Sequence, residues 1–195
     1  DQIPSETTIN AILSRNGLVK KRGRRPKKLE KLHPKYESKQ CNEIWTVDYK
    51  GKFRLGNKKY CHPLTIQDKK SRYIIACDGH YAENYENVKR AYIKAFRDFG
   101  MPSYIHSDNG IPFGNVRSVK RFTRLSYWLI DHDILPLYSD TASPQQNGKH
   151  ERMHRDLKAH CTKPPKHTLS KQQHLLDEFK DEYNYIRPHE SLKMK

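Results

Sequence analysis

The sequence predicts a mixed α/β domain, on three observations. Three β-rich runs follow one another closely: Ile44-Trp45-Thr46-Val47-Asp48-Tyr49, Tyr60 to Ile66, and Tyr73 to Cys77. After them, helical stripes alternate with short apolar runs. With 12 Tyr, 6 Phe and 2 Trp in 195 residues, the chain is also too aromatic for a disordered tail.

The elements follow in order. Ile9, Ile12 and Leu13 recur at helical spacing, with Ser5 to cap the start and Asn16-Gly17 to end the helix. A single helix cannot bury that stripe by itself, so its partners must lie elsewhere. KKRGRRPKK, Lys20 to Lys28, contains Gly23 and Pro26 among seven repelling cations and reads as a solvated linker. The three β runs, joined by turns at Gly56-Asn57 and at Asp68-Lys69-Lys70-Ser71, make an antiparallel meander. Tyr85, Val88, Ala91, Tyr92, Ala95, Phe96 and Phe99 trace a helix that Gly100 and Pro102 end. A strand at Tyr104-Ile105-His106 leads into Ser107-Asp108-Asn109-Gly110. A helix over Val119 to Asp131 and a strand over Ile134 to Tyr138 come next. TASPQQNG, Thr141 to Gly148, has loop composition and feeds a helix from about Lys149 to Cys161. Pro164-Pro165 interrupts, Ser170 starts a last helix, and Arg187-Pro188 stops it.

Charge narrows the class of partner. Lys+Arg number 38 against 22 Asp+Glu, a net +16, and residues 20–31 alone carry +7. Such a protein expects a polyanion, nucleic acid first, with a basic but otherwise ordinary enzyme as the alternative. Lys20, Lys21, Arg22, Arg24, Arg25, Lys27 and Lys28 read as an arm along phosphates or in a minor groove. The bland reading is a basic spacer without ordered contacts. No apolar run approaches the roughly 18 residues of a membrane span, and no secretory leader pattern opens the chain. Asp1 as first residue, with Met only at 101, 153 and 194, reads as a piece of a longer protein. Cys41, Cys61, Cys77 and Cys161 form no C-x-x-C pair and are expected as reduced, buried thiols.

Three acids stand out in this basic chain. Asp48 falls in the first β run, Asp108 just after the 104–106 strand, and Glu151 in the first turn of the helix behind the loop. Two strand-end aspartates and a helix-borne glutamate can converge to hold two divalent ions about 3.5–4 Å apart, the arrangement that moves phosphoryl groups. Taken singly, each also has a structural explanation: a strand-end salt bridge, a turn residue, and a charge favoured by the helix dipole.

The blocks IWTVDYKG, SDNG followed by Pro112-Phe113, and SPQQNGKHERMHRDLK resemble the three signature blocks of the DDE transposase and retroviral integrase superfamily. The likeness runs from about Ile44 to Leu192, takes in YNYIRPHESL, and is nearest to bacterial insertion-sequence transposases. The opening helix with RNGL resembles the end of a helix-turn-helix module. The resemblance implies a ribonuclease H-like fold, with Asp48, Asp108 and Glu151 as catalytic and metal-binding residues for two Mg²⁺ that Mn²⁺ can replace. It implies cleavage at transposon ends and 3′-hydroxyl strand transfer into target DNA by a homodimer or larger synaptic complex, in the bacterial cytoplasm at the nucleoid. It divides the chain into a partial helix-turn-helix module (1–19), a basic linker (20–40), a catalytic domain (41–163) and a helical extension (164–195). Forty-two residues separate Asp108 from Glu151, where retroviral integrases typically have about 35. Arg155 and Lys158 share the helix face of Glu151 and are expected, with Gln146 and Asn147 of the loop, to contact DNA.

One motif competes. His150-Glu151-Arg152-Met153-His154 matches H-E-x-x-H, two zinc-ligating histidines one turn apart with a glutamate base, and Glu178 or Glu182 could add a third ligand. A zinc metalloprotease leaves SDNG, Asp48 and the basic arm unexplained. On the DNA reading, His150 and His154 are expected to be exposed or to face DNA. A catalytically inactive DNA-binding protein of the same fold is the third possibility.

Overall fold

In the computed structural model, the structure describes residues 5–18, 37–115, 122–139 and 148–186. It divides into two units, Asp1–Pro34 and Lys35–Lys195. In the first, helix α1 spans Glu6–Arg15; the Ser5 hydroxyl caps it by accepting from the Thr8 amide, and Gly17, at φ +67°, follows its end. Ile9, Ile12 and Leu13 are exposed along one side. The basic stretch from Lys20 to Lys28 lies outside the described residues, as do Gln146, Asn147 and the expected stop at Arg187-Pro188.

The second unit is built on strands β1 (Ile44–Tyr49), β2 (Phe53–Arg54), β3 (Tyr60–Asp68), β4 (Ile74–His80), β5 (Tyr104–Ser107) and β6 (Leu135–Tyr138). β3 pairs antiparallel with β1, β2 and β4, which gives the expected meander, while β1, β5 and β6 run parallel. β2 was not anticipated: two residues in a lysine-rich connection carry no periodic signal. Helix α2 (Tyr85–Phe99) is capped by Asn84 and closed at Gly100, as its stripe requires. Helix α3 (Arg124–Ile130) starts later than expected, at a capping box of Thr123 and Ser126, and residues 116–121 before it lie outside the described set. Helices α4 (Gly148–Cys161) and α5 (Leu169–Tyr185) complete the unit.

The sheet is covered on both faces because its strands alternate two apolar sets. Trp45, Val47, Leu64, Ile66 and Ile105 pack toward α2 and α3, where Tyr92, Phe96 and Trp128 stack with centroids 5.6–6.3 Å apart. Ile74 and Cys77 pack on the other side with Met153, Leu157 and Cys161 of α4 and Leu176, Phe179 and Tyr183 of α5. Burying such side chains contributes about 1.5–3 kcal/mol each. Three cysteines are buried as expected; Cys41, in the turn before β1, is exposed instead.

The free edge of β4 is closed by amides of α5. Asn184 accepts from the Ile74 amide at 2.8 Å and donates to its carbonyl at 2.9 Å. Gln173 accepts from the Gly79 amide at 2.7 Å and donates to the Cys77 carbonyl at 2.9 Å. The two amides are eleven positions apart, three turns, so both fall on the face that meets the strand.

Candidate active site

The polar strip of the sheet positions the candidate site. On β1, Thr46 and Asp48 point away from the face of Trp45 and Val47, and their β3 partners Gln67 and Thr65 do the same. On the other side of β1, the parallel register joins Ile44 to Tyr104, Trp45 to Ile105 and Thr46 to His106. Asp48 and Asp108 each lie two residues beyond the last of these pairs, Asp108 just past the end of β5.

Electrostatics agrees with the register. Burial pushes the Asp48 carboxyl up to about 7, and the nearby charge of Asp108 adds to the effect. Asp108 is itself raised by burial, against a stabilising bond from the Gly110 amide to Oδ1 at 3.0 Å. A Cβ on Gly110 would lie 3.0 Å from the other Asp108 oxygen, so the glycine of SDNG lets the turn close under the carboxylate. Glu83, bonded to His62 Nδ1 at 2.8 Å, adds further negative charge to both aspartates. Asp68 shows what a structural carboxylate looks like here: it takes hydrogen bonds from the amides of Asn42, Lys70 and Ser71 and from the Ser71 hydroxyl. Two crowded acids short of such donors suit a divalent cation, which would relieve their repulsion.

Helix α4 lies over this strip. His150, Met153, His154, Leu157 and Cys161 are buried at i, i+3, i+4, i+7 and i+11, while Glu151, Arg155 and Lys158 share the exposed side. Burial lowers the pKa of the Lys50 ammonium, two residues after Asp48, and the nearby charge of Lys158 lowers it further.

The histidines correct the sequence reading. Neither is exposed: His150 and His154 retain 3% and 8% of their accessible surface. Thr65 Oγ1 lies 2.8 Å from His150 Nε2 and 2.7 Å from His154 Nε2, and Thr46 Oγ1 lies 2.9 Å from His150 Nδ1. Burial holds the rings neutral, pulling His150 down to about 3 and His154 to about 2. The stripe they share with Met153, Leu157 and Cys161 was in the sequence and marked them as inward-facing. His154 Nδ1 is also 3.8 Å from Asp48 Oδ2.

Asp48, His150 and His154 have ligand atoms within 4.8 Å of one another. The three expected carboxylates do not form such a group: Glu151 stays on the exposed side of α4, while Asp108 is near enough to Asp48 for its charge to raise it. No helix among the described residues is long and apolar enough to cross a membrane.

Sequence models of the integrase core domain match residues 38–144 and 132–195. The ORF3 integrase-like protein of Spiroplasma virus SpV1-C74 is 30% identical over 181 aligned positions, covering 85% of this chain and 49% of that protein. The chain thus spans about half the length of this curated relative. Among solved structures, the fold resembles the intasome of simian T-cell lymphotropic virus in complex with PP2A regulatory subunit B56 gamma (TM-score 0.60, 18% identity, 76% of this chain, 50% of that one). It also resembles the dimeric form of the HTLV-2 integrase catalytic core with magnesium (TM-score 0.54, 16% identity, 81% of this chain, 97% of that one). A trimeric form of the same core gives 0.53 at 15% identity, over 81% of this chain and 99% of that one. The chain belongs to the integrase core domain family, within the DDE transposase and integrase superfamily, and has its ribonuclease H-like fold.

Proposed function

We propose that this chain is the catalytic core of a DDE-type polynucleotidyl transferase that cuts DNA at the ends of a mobile element and joins the freed 3′-hydroxyl to target DNA. The observation that carries this reading is the nearness of Asp108 to Asp48, each two residues beyond the last parallel pair of β1 and β5, with Glu151 on the helix that covers this strip. In the first step a water oxygen bonds to phosphorus and the bond to the 3′-oxygen breaks, leaving a 3′-hydroxyl on the element. In the second, that hydroxyl bonds to a target phosphorus and displaces the target's own 3′-oxygen.

Asp48, Asp108 and Glu151 would hold two Mg²⁺, with Mn²⁺ able to replace them. Bound ions supply the positive charge that favours a deprotonated attacking oxygen and neutralises the departing one. The remaining work falls to side chains. Arg155 and Lys158, on the exposed face of α4 with Glu151, and Lys50 beside Lys158 would hold the DNA backbone next to the carboxylates. Gln146, Asn147 and the basic residues from Lys20 to Lys28 would add further contacts to DNA. The domain boundaries at 19, 40 and 163 belong to this reading, as does assembly into a dimer or larger complex, which the dimeric and trimeric HTLV-2 cores support.

The test is Mg²⁺- or Mn²⁺-dependent nicking and strand transfer on element-end DNA, with Asp108→Asn as comparison. The proposal requires at least a hundredfold loss in the variant; equal nicking by both proteins rules it out.

A further inference from the structure

A neutral imidazole has one N–H and one lone pair, and in a protein interior both are normally used. His150 follows the rule and His154 does not. The difference turns on the proton of Thr65. Its hydroxyl donates to the Asp48 main-chain carbonyl at 3.1 Å, a group that can only accept. With its proton there, the Thr65 oxygen accepts from both rings, from His150 Nε2 at 2.8 Å and from His154 Nε2 at 2.7 Å. In that arrangement each ring carries its proton on Nε2 and presents a lone pair at Nδ1.

For His150 that lone pair meets the Thr46 hydroxyl at 2.9 Å, whose proton is shared with the Gln67 carbonyl at 3.1 Å. For His154 it faces Asp48 Oδ2 at 3.8 Å. That distance is too long for a hydrogen bond, and two acceptors facing each other have no attraction of their own. A cation between them changes that. Two ligands each about 2.0–2.2 Å from one ion stand at most roughly 4.3 Å apart, and 3.8 Å falls within that reach.

We propose that His154 Nδ1 is a ligand to the same cation as Asp48, which makes this a mixed nitrogen–oxygen site that raises the affinity for Mn²⁺ relative to Mg²⁺ above that of carboxylates alone. The inference rests on the reading of Asp48 as a metal-binding carboxylate. Imidazole suits first-row transition ions, whereas Mg²⁺ favours oxygen and keeps its waters. A ligating histidine characteristically ties down its other N–H, which fixes ring and tautomer. Thr65 does this for His154 and is itself anchored on the Asp48 carbonyl, so one β1–β3 contact orients both ligands. His150, with both nitrogens engaged, is a support for the site and not a ligand. The paired-histidine zinc site that H-E-x-x-H suggests is therefore not formed.

Electron spin-echo measurements on the wild-type chain with substoichiometric Mn²⁺ give the direct readout, alongside calorimetric affinities for Mn²⁺ and Mg²⁺. We expect a directly bound nitrogen in wild type that disappears in His154→Asn, with the Mn²⁺-to-Mg²⁺ affinity ratio falling at least fivefold. Mn²⁺ that depends on Asp48 but shows no nitrogen coupling, or a coupling that persists in His154→Asn, overturns this inference and leaves the reading of Asp48 intact. Mn²⁺ binding that is absent, or unchanged in Asp48→Asn, overturns both.

Discussion

Asp48 lies two residues beyond Thr46 and Asp108 two beyond His106, the last parallel pair of β1 and β5, and the charge of Asp108 is felt at Asp48. Their mutual repulsion is built into the sheet, since neither strand can slip without turning its apolar face outward. On the proposed function, a cation site accounts for a pair that costs stability. Asp48→Asn or Asp108→Asn should therefore stabilise the chain in EDTA by about 1 kcal/mol, a rise of roughly 2–4 °C in melting temperature. Added Mn²⁺ should stabilise wild type, by about 2.7 kcal/mol at a hundredfold excess over Kd, and leave the variants unchanged. Lower melting of both variants in EDTA would contradict the repulsion.

The closed edge of β4 gives a second prediction. Asn184→Leu or Gln173→Leu keeps the bulk of α5 but strips partners from Ile74 or from Cys77 and Gly79. Each change should cost about 1–3 kcal/mol in urea unfolding and increase association through the opened strand edge. Unchanged stability in both would mean that water replaces the amides freely.

Thiol chemistry reports on the core. Burial pushes Cys61 and Cys161 up to about 12 and Cys77 well above the ordinary thiol range, while Cys41 is exposed. The thiolate is the reactive form. Iodoacetamide at pH 8 should label Cys41 alone in the folded chain and all four cysteines in denaturant, as mass spectrometry of the peptides would show. Rapid native labelling of Cys77 would contradict the packing of β4 against α4 and α5.

The DNA surface is tested by salt. Deleting residues 20–28 should flatten the dependence of log K on log[salt], by up to about 0.9 for each phosphate that the arm neutralises. Arg155→Ala and Lys158→Ala should each lower the slope by about one, with no change in sequence preference. An unchanged slope on deletion would exclude the arm from the complex.

Much of this was legible in the sequence for a physical reason. The meander, α2 and the last helix announced themselves through periodicity and caps, since burial on one face leaves a regular trace. Asp48 and Asp108 were legible as acids at strand ends, where apolar neighbours make a carboxylate costly. The surroundings of Asp48 were not. Thr65 and His154 meet it across 17 and 106 residues of sequence, and no local pattern encodes such a contact. The histidines were misjudged because charged flanks suggested a solvated helix, whereas the flanks cover only the outer side of α4.

The central claim is that Asp48 and Asp108 hold a divalent cation for phosphoryl transfer. Anomalous diffraction from a Mn²⁺-soaked crystal tests it most directly. The expected result is a peak within about 2.5 Å of carboxylate oxygens of both Asp48 and Asp108, a bonding distance for a hard cation, with the Glu151 side chain turned toward it. Mn²⁺ found only at surface sites away from the two aspartates, in a crystal saturated with the ion, would contradict the account.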